Sequence, residues 1–356
     1  MLQSPITLRC GLTIPNRISL APLTNLQSQR DGLLGEDELQ FLARRADGGF
    51  GLVTTCAAYV ALDGKAWAGE LGIDRDDCLP GLTRLATRIH QGGAIAMVQL
   101  FHGGVRADRT LTGEQPWSAT SWHEDTPDFV DPRAGTTDDI ARVIEQFAAA
   151  AARAQAAGFD GAELHGAHGY LLSQFLSRTT NTRTDGWGTD LAGRARLVRE
   201  VTRAVRERCG ARFAIGVRLS LEDFGQAKGQ DLDDNLQVAR WLAEDGVDFL
   251  HISLWDVTKM TTKRPEVHPL PLVRDAVPRD VALIAAGKIW THADGETVLA
   301  LGADLVALGR SGILNPDWPK LVDIKLPPIT RADLVARAVS PTFAGYLTKW
   351  KNLVAD

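Results

Sequence analysis

Eight short apolar runs recur along this chain of 356 residues with helix-like stretches between them, and that alternation restricts the fold more than any other feature. The runs are Arg17–Leu20, Gly51–Thr54, Ile95–Leu100, Gly161–Leu164, Phe213–Arg218, Phe249–Ile252, Val281–Ala285 and Leu305–Leu308. Most lack the polar alternation of a half-exposed strand, so they read as strands buried on both faces, as in parallel sheets. Segments of helical period separate them, clearest at Cys78–His90, Asp138–Ala157, Leu191–Cys209, Asp233–Glu244 and Ala293–Leu301. Gly92-Gly93, Gly158 and Gly246 fall where a helix must stop before the next strand. Gly158-Phe-Asp, Gly246-Val-Asp and Gly302-Ala-Asp, each leading into an apolar run, form a weak internal repeat. Strands and helices alternating in this number predict an α/β fold, the (β/α)8 TIM barrel.

Three places hold the residues beyond a minimal barrel. Residues 1–16, with Ile6, Leu8 and Leu12 around Cys10-Gly11, predict a hairpin across the barrel base. Residues 102–137 and 165–190 are long loops after the third and fourth strands, at the C-terminal face where barrel enzymes place their sites. No Ser/Gly-rich or charge-rich linker divides the chain, so residues 1–356 are expected to form a single domain. With 39 Lys+Arg against 44 Asp+Glu, the net charge of −5 provides no field for a polyanion. Nucleic acid and membrane are therefore excluded as expected partners, and a small molecule is expected. No apolar run approaches the ~18 residues of a membrane span, and the first residues lack a signal-peptide pattern. The four cysteines at 10, 56, 78 and 209 form no C-x-x-C pair, so a cytoplasmic protein with reduced thiols and no metal site is expected.

Candidate chemistry gathers at strand ends. Gly287-Lys288 follows the seventh strand and Gly309-Arg310-Ser311-Gly312 the eighth, where barrels commonly bind phosphate through backbone N–H groups and a cation. The bland alternative is two glycine turns and a surface arginine. Gln99 and Arg218 are polar residues closing apolar strands, so each must be paired or face the barrel mouth. For Arg218, a delocalised anion on a planar ligand and a structural ion pair serve equally. His165-Gly-Ala-His168-Gly-Tyr170 follows the fourth strand directly and offers two imidazole donors for a substrate oxygen and a phenolic proton source. Ala21-Pro22-Leu23-Thr24 ends the first strand at the mouth. Trp117, Trp122 and Trp255 lie in or after mouth loops, where they either narrow a pocket or simply pack. Residues 343–354, with Tyr346, Trp350 and Leu353, pack on their own barrel or on a neighbour.

Taken together, these residues resemble the old yellow enzyme family of FMN-dependent ene-reductases. The likeness runs from the Leu8–Ile18 hairpin and strand to Gly309-Arg310 and Asn315-Pro316-Asp317, and is most specific at residues 165–177 and Asn181-Thr-Arg-Thr-Asp185. The resemblance implies FMN in a TIM barrel, NADPH or NADH as reductant, and reduction of the C=C bond of α,β-unsaturated carbonyl or nitro compounds. It also implies roles: Ala21, Pro22, Leu23, Thr24 and Ala58 would line the flavin, Gln99 would bond its pyrimidine side, and Arg218 would sit near N1/O2. Gly287, Lys288, Gly309 and Arg310 would hold the phosphate. His165 and His168 would bond the substrate oxygen, and Tyr170 would donate the proton. The His–His pair is that of one branch, yet Thr24 stands where that branch has a redox-tuning Cys and Leu26 where it has a Tyr. Trp187 and Leu191-Ala-Gly-Arg194 also depart from the family pattern. The larger dienoyl-reductase branch, with an iron–sulfur cluster and a second domain, is not expected from four dispersed cysteines and this chain length. The alternative function is a non-redox lyase or isomerase acting on a sugar phosphate, which would rely on Lys288.

Overall fold

Each of the eight apolar runs becomes a strand of one closed parallel sheet in the computed structural model, which describes residues 1–127 and 129–355. The strands are β1 (Ile18–Leu20), β2 (Leu52–Tyr59), β3 (Ile95–Phe101), β4 (Gly161–Gly166), β5 (Ala214–Leu219), β6 (Phe249–Ser253), β7 (Ala282–Ala286) and β8 (Leu305–Leu308). Each pairs with its neighbours in sequence, and β8 returns to β1 with Val306 opposite Ile18, which closes the barrel. Outside lie α1 (Glu36–Asp47), α2 (Leu79–Gln91), α3 (Thr137–Ala156), α4 (Leu191–Cys209), α5 (Leu232–Glu244), α6 (Pro269–Ala276), α7 (His292–Ala300) and the short α8 (Arg310–Leu314). The sequence pattern did not mark α1 or α6. Gly35 precedes α1 without a side-chain cap, so its start carries no local signal, although Glu36, Asp37 and Glu38 suit the positive end of its dipole. No described helix is long and apolar enough to cross a membrane.

The Gly-x-Asp repeat has a structural cause. Gly158, Gly246 and Gly302 sit at φ of +90°, +97° and +110°, backbone that side chains disfavour, and turn the chain from helix end to strand. Two residues on, each aspartate reaches sideways to the preceding strand. Asp160 accepts from the Ala96 N–H at 2.8 Å, Asp248 from Ile215 at 2.8 Å and Asp304 from Leu283 at 2.9 Å. The aspartate N–H groups bond back to the carbonyls of the same three residues. A nitrogen-bearing side chain backs each carboxylate: His90 at 2.7 Å, Arg206 at 2.5 Å and Arg274 at 3.0 Å. The repeat thus clasps three strand pairs, β3–β4, β5–β6 and β7–β8, at the base.

Side-chain size divides the barrel interior. Leu52, Met97, Phe249 and Leu305 fill the base, joined by Leu8 and Ile14 of the N-terminal hairpin, whose strands Ile6–Thr7 and Thr13–Ile14 pair antiparallel as expected. The Phe249 ring takes the space that Gly216 leaves; a Cβ there would lie 2.1 Å from it. At the opposite end the inward residues are Ala21, Ala57, Ala286 and Ala307. Large residues below and alanines above leave the barrel hollow only at its C-terminal face.

Candidate active site

The alanine-lined end opens into a cavity of about 1010 Å³, mouth included. Its floor is polar. Gln99 of β3 stands opposite Glu163 of β4, and Arg218 of β5 lies between His165 and His251 on the flanking strands. Gln99 Nε2 donates to Glu163 Oε1 at 2.7 Å, and His251 Nδ1 donates to Oε2 at 2.7 Å. Burial works to raise the Glu163 pKa, but His251, Arg218 and Gln99 outweigh it and bring it below the usual value, so the carboxylate is ionised. Since the Gln99 amide nitrogen is turned to Glu163, the Gln99 amide oxygen is left for the cavity. Arg218 is buried, reaches Ser253 Oγ at 3.3 Å, and keeps an Nε–H without a partner among the described residues.

The histidine pair sits where β4 runs out. His165 Nδ1 accepts from the Ala167 N–H at 3.3 Å, which leaves the ring proton on Nε2. His168 takes left-handed backbone, φ +61°, and its N–H donates to Ser220 Oγ at 3.2 Å. Its Nε2 lies 2.7 Å from Ser253 Oγ. Arg218 donates to that same oxygen at 3.3 Å, so Ser253 ties the His168 ring to the guanidinium. Burial, followed by the nearby Arg218 charge, pushes His165 down to about 3 and His168 well below its ordinary value. Both rings are therefore neutral donors at ordinary pH. Tyr170 packs edge-on against His165 at 4.9 Å and Phe101 at 4.5 Å, and burial and then Glu70 raise its phenol above the usual value, keeping it protonated.

The far end of the cavity is built from β7 and β8. Gly287 has φ +151° and lies so near the Trp255–Asp256 backbone that a Cβ would meet Asp256 N at 2.8 Å. Lys288 pairs with Asp256 at 2.9 Å. Arg310 opens α8, its guanidinium 5.4 Å from the Trp290 ring and 5.6 Å from Trp350, and makes no ion pair among the described residues. A buried arginine N–H without a partner, a free amide oxygen and a glycine cradle beside an unpaired guanidinium fit a flat heterocycle carrying a phosphate.

Of the residues expected at a site, Ala21, Pro22, Leu23, Thr24, Gln99, His165, His168, Tyr170, Arg218, Gly287, Lys288, Gly309 and Arg310 all line this one cavity. Ala58 does not. The strand alternation of β2, with a pairing irregularity between Thr54 and Ala57, turns Ala57 inward and Ala58 into the outer core. Trp117 is core, donating to Asp63 at 3.1 Å, and Trp122 packs on Phe129 at 5.0 Å; neither lines the cavity. Trp255 does, at the mouth. Tyr346 and Trp350 close the rim of their own barrel. Sequence reasoning missed Glu163, His251, Ser253, Trp67 and Trp290. The first two carried a usable signal, a charged or titratable residue alone inside an apolar strand, whereas Ser253 is a plain serine at a strand end and the two tryptophans follow ordinary loop patterns. Among the described residues, no three His, Cys, Asp or Glu side chains are arranged to hold a metal ion.

Residues 1–328 match the family described as NADH:flavin oxidoreductase / NADH oxidase. The probable NADH-dependent flavin oxidoreductase YqiG of Bacillus subtilis (strain 168) is 37% identical over 323 residues, 89% of this chain and 86% of that protein. Among solved structures, the old yellow enzyme homologue from Zymomonas mobilis has a TM-score of 0.83 at 27% identity, covering 97% of this chain and 99% of that one. Morphinone reductase in complex with tetrahydroNAD has a TM-score of 0.82 at 27% identity, covering 100% and 98%. Two longer curated relatives are spanned to 35% and 32% of their length.

Proposed function

This chain belongs to the NADH:flavin oxidoreductase / NADH oxidase family, and we propose that within it the protein is an FMN-dependent ene-reductase, using NADPH or NADH to reduce the C=C bond of α,β-unsaturated carbonyl or nitro compounds. When bound, FMN supplies the hydride relay between nicotinamide and alkene. The Gln99 amide oxygen and the Arg218 guanidinium would hold the polar edge of the ring. Ala21, Pro22, Leu23, Thr24 and Ala57 would wall it, and the Gly287 and Gly309 loops with Lys288 and Arg310 would hold the phosphate. On this reading residues 1–356 act as one domain.

The observation that carries the proposal is the convergence of two neutral imidazole donors and one protonated phenol in a single cavity. His165 Nε2–H and the His168 imidazole N–H would bond the substrate's activating oxygen, where negative charge grows during reduction, and a neutral pair can do so without first losing a proton. Tyr170 Oη then gives its proton to the carbon α to that group. Ser253, itself bonded by Arg218, would anchor the His168 ring, and the surrounding apolar wall would keep water from competing. Lys288, the one lysine lining the cavity, is tied to Asp256 at the rim, which disfavours the lyase or isomerase alternative.

The proposal is tested by loading the purified protein with FMN and following NADH and NADPH oxidation with cyclohexenone and a nitroalkene. The expected outcome is a yellow protein whose nicotinamide oxidation, without oxygen, requires the alkene and yields the saturated product. A protein that fails to bind FMN, or that binds it but is stimulated by no activated alkene, overturns it.

A further inference from the structure

A second cavity, of about 940 Å³, adjoins the first and shares Ser253, Trp255 and Lys288 with it. The partition is Trp255, whose indole is 52% exposed and lies stacked on Phe224 with ring centroids 4.0 Å apart and 29° between planes. Met260, also 52% exposed, faces the same space. Large apolar side chains gathered in the open at a concave surface mark a binding region rather than a need of the fold. A stacked aromatic pair with one free face is ready for a third flat ring.

Trp255 is also held in place. It sits in left-handed backbone at φ +60°, costly for a bulky residue, and such strain gathers at functional positions. The neighbouring Leu254 N–H donates to Ala286 O at 2.8 Å, Asp256 is fixed by Lys288 and Thr258, and Gly287 packs against the Trp255 backbone. The carboxylates around this cavity are engaged: Glu222 accepts from the N–H groups of Thr262 and Lys263, and Asp223 from Gln230. Lys259 has an ammonium with no partner among the described residues.

We propose that this second cavity is the subsite for the adenosine half of the dinucleotide reductant, with adenine stacked on Trp255 and Lys259 facing its phosphates. The proposal rests on the ene-reductase reading in one respect: the nicotinamide must enter the first cavity to react. The other ring of the dinucleotide then needs a flat site continuous with that cavity, and the Trp255 partition supplies one. Stacking a base on an aromatic side chain is worth about 1–3 kcal/mol, so its loss weakens binding on the order of tenfold.

The test uses the FMN-loaded protein with wild-type, Trp255→Phe and Trp255→Leu chains. ADP binding is measured by calorimetry, and NADH is compared with reduced nicotinamide mononucleotide, which lacks adenosine, in anaerobic flavin reduction. The expected result is ADP binding to the wild type, retained in Trp255→Phe and weakened about tenfold in Trp255→Leu. The preference for NADH over the mononucleotide should fall by the same factor in Trp255→Leu. No ADP binding by the wild type, or an unchanged preference, overturns the proposal. So does a shift confined to the KM of a long aromatic enone, which would assign the stack to the oxidising substrate. Failure of NADH to reduce the flavin at all would count against the ene-reductase reading instead, and the ADP measurement would still decide this one.

Discussion

The ring centroids of His165 and Tyr170 lie 4.9 Å apart, and burial acts on the two in opposite proton senses. It removes the proton from an imidazolium and keeps the proton on a phenol, leaving two uncharged donors where an oxyanion would develop. Stability should follow. The folded pKa of His165, about 3, lies below the ~6.5 of an unfolded histidine, so between those values the unfolded chain binds more protons. Stability is therefore lost as pH falls from 6.5 towards 3, and the lowered His168 and His251 act in the same sense. Thermal unfolding at pH 7 and pH 5 should show a smaller drop in midpoint for His165→Asn than for the wild type; an equal drop would contradict the neutral, buried assignment. His165→Ala should weaken phenol binding, because the phenolate oxygen loses one of its two donors; about tenfold is expected by absorbance titration. At this scale the residue 165–170 cluster was legible because its three polar rings stand together after a strand. Ser253 was not, since a lone serine at a strand end looks ordinary until a histidine and an arginine meet on its oxygen.

Among the elements, the strands and the helices with strong end signals were read well. Helix α4 begins at Asp190, whose carboxylate caps the Gly193 N–H at 2.8 Å, and ends at Gly210 in left-handed backbone, and both residues show in the sequence. Helix α1 lacks a side-chain cap at its start and went unread, although Gly48-Gly49, with Gly49 at φ +97°, marks its end. The register of β2 was also beyond pattern reasoning, because an irregularity in its pairing decides that Ala57, not Ala58, faces inward. The Gly-x-Asp repeat was visible only as a spelling; its work as a strand clasp required the partners. Asp248→Ala should strand the Ile215 N–H and uncouple the Arg206 ion pair at a position almost fully buried. A loss of about 3 kcal/mol in denaturant unfolding is expected, with FMN affinity unchanged because the clasp lies at the opposite end of the barrel. Loss of flavin at unchanged stability would contradict this division between base and mouth.

Across the whole molecule, the hairpin plugs one end of the barrel and the C-terminal segment rims the other. Residues 343–354 could not be assigned from sequence to their own barrel or a neighbour, because an apolar face at helical spacing does not say what covers it. In the structure Tyr346 and Trp350 line the cavity of their own chain, and Trp350 with Trp290 brackets Arg310. Cation–π contacts of this kind contribute about 0.5–2 kcal/mol, so Trp350→Ala should weaken FMN binding roughly tenfold by fluorescence titration while the barrel stays folded. Unchanged FMN affinity would remove the segment from the site.

The most direct measurement is an anaerobic stopped-flow comparison of wild type and Tyr170→Phe, with the flavin first bleached by NADH and then mixed with cyclohexenone. The wild type should bleach and then recover its yellow colour. Tyr170→Phe should bleach at the wild-type rate and recover on the order of a hundredfold more slowly, since only the second step takes a proton from the phenol. Equal slowing of both steps, or a bleached wild type that no enone restores, would contradict the account.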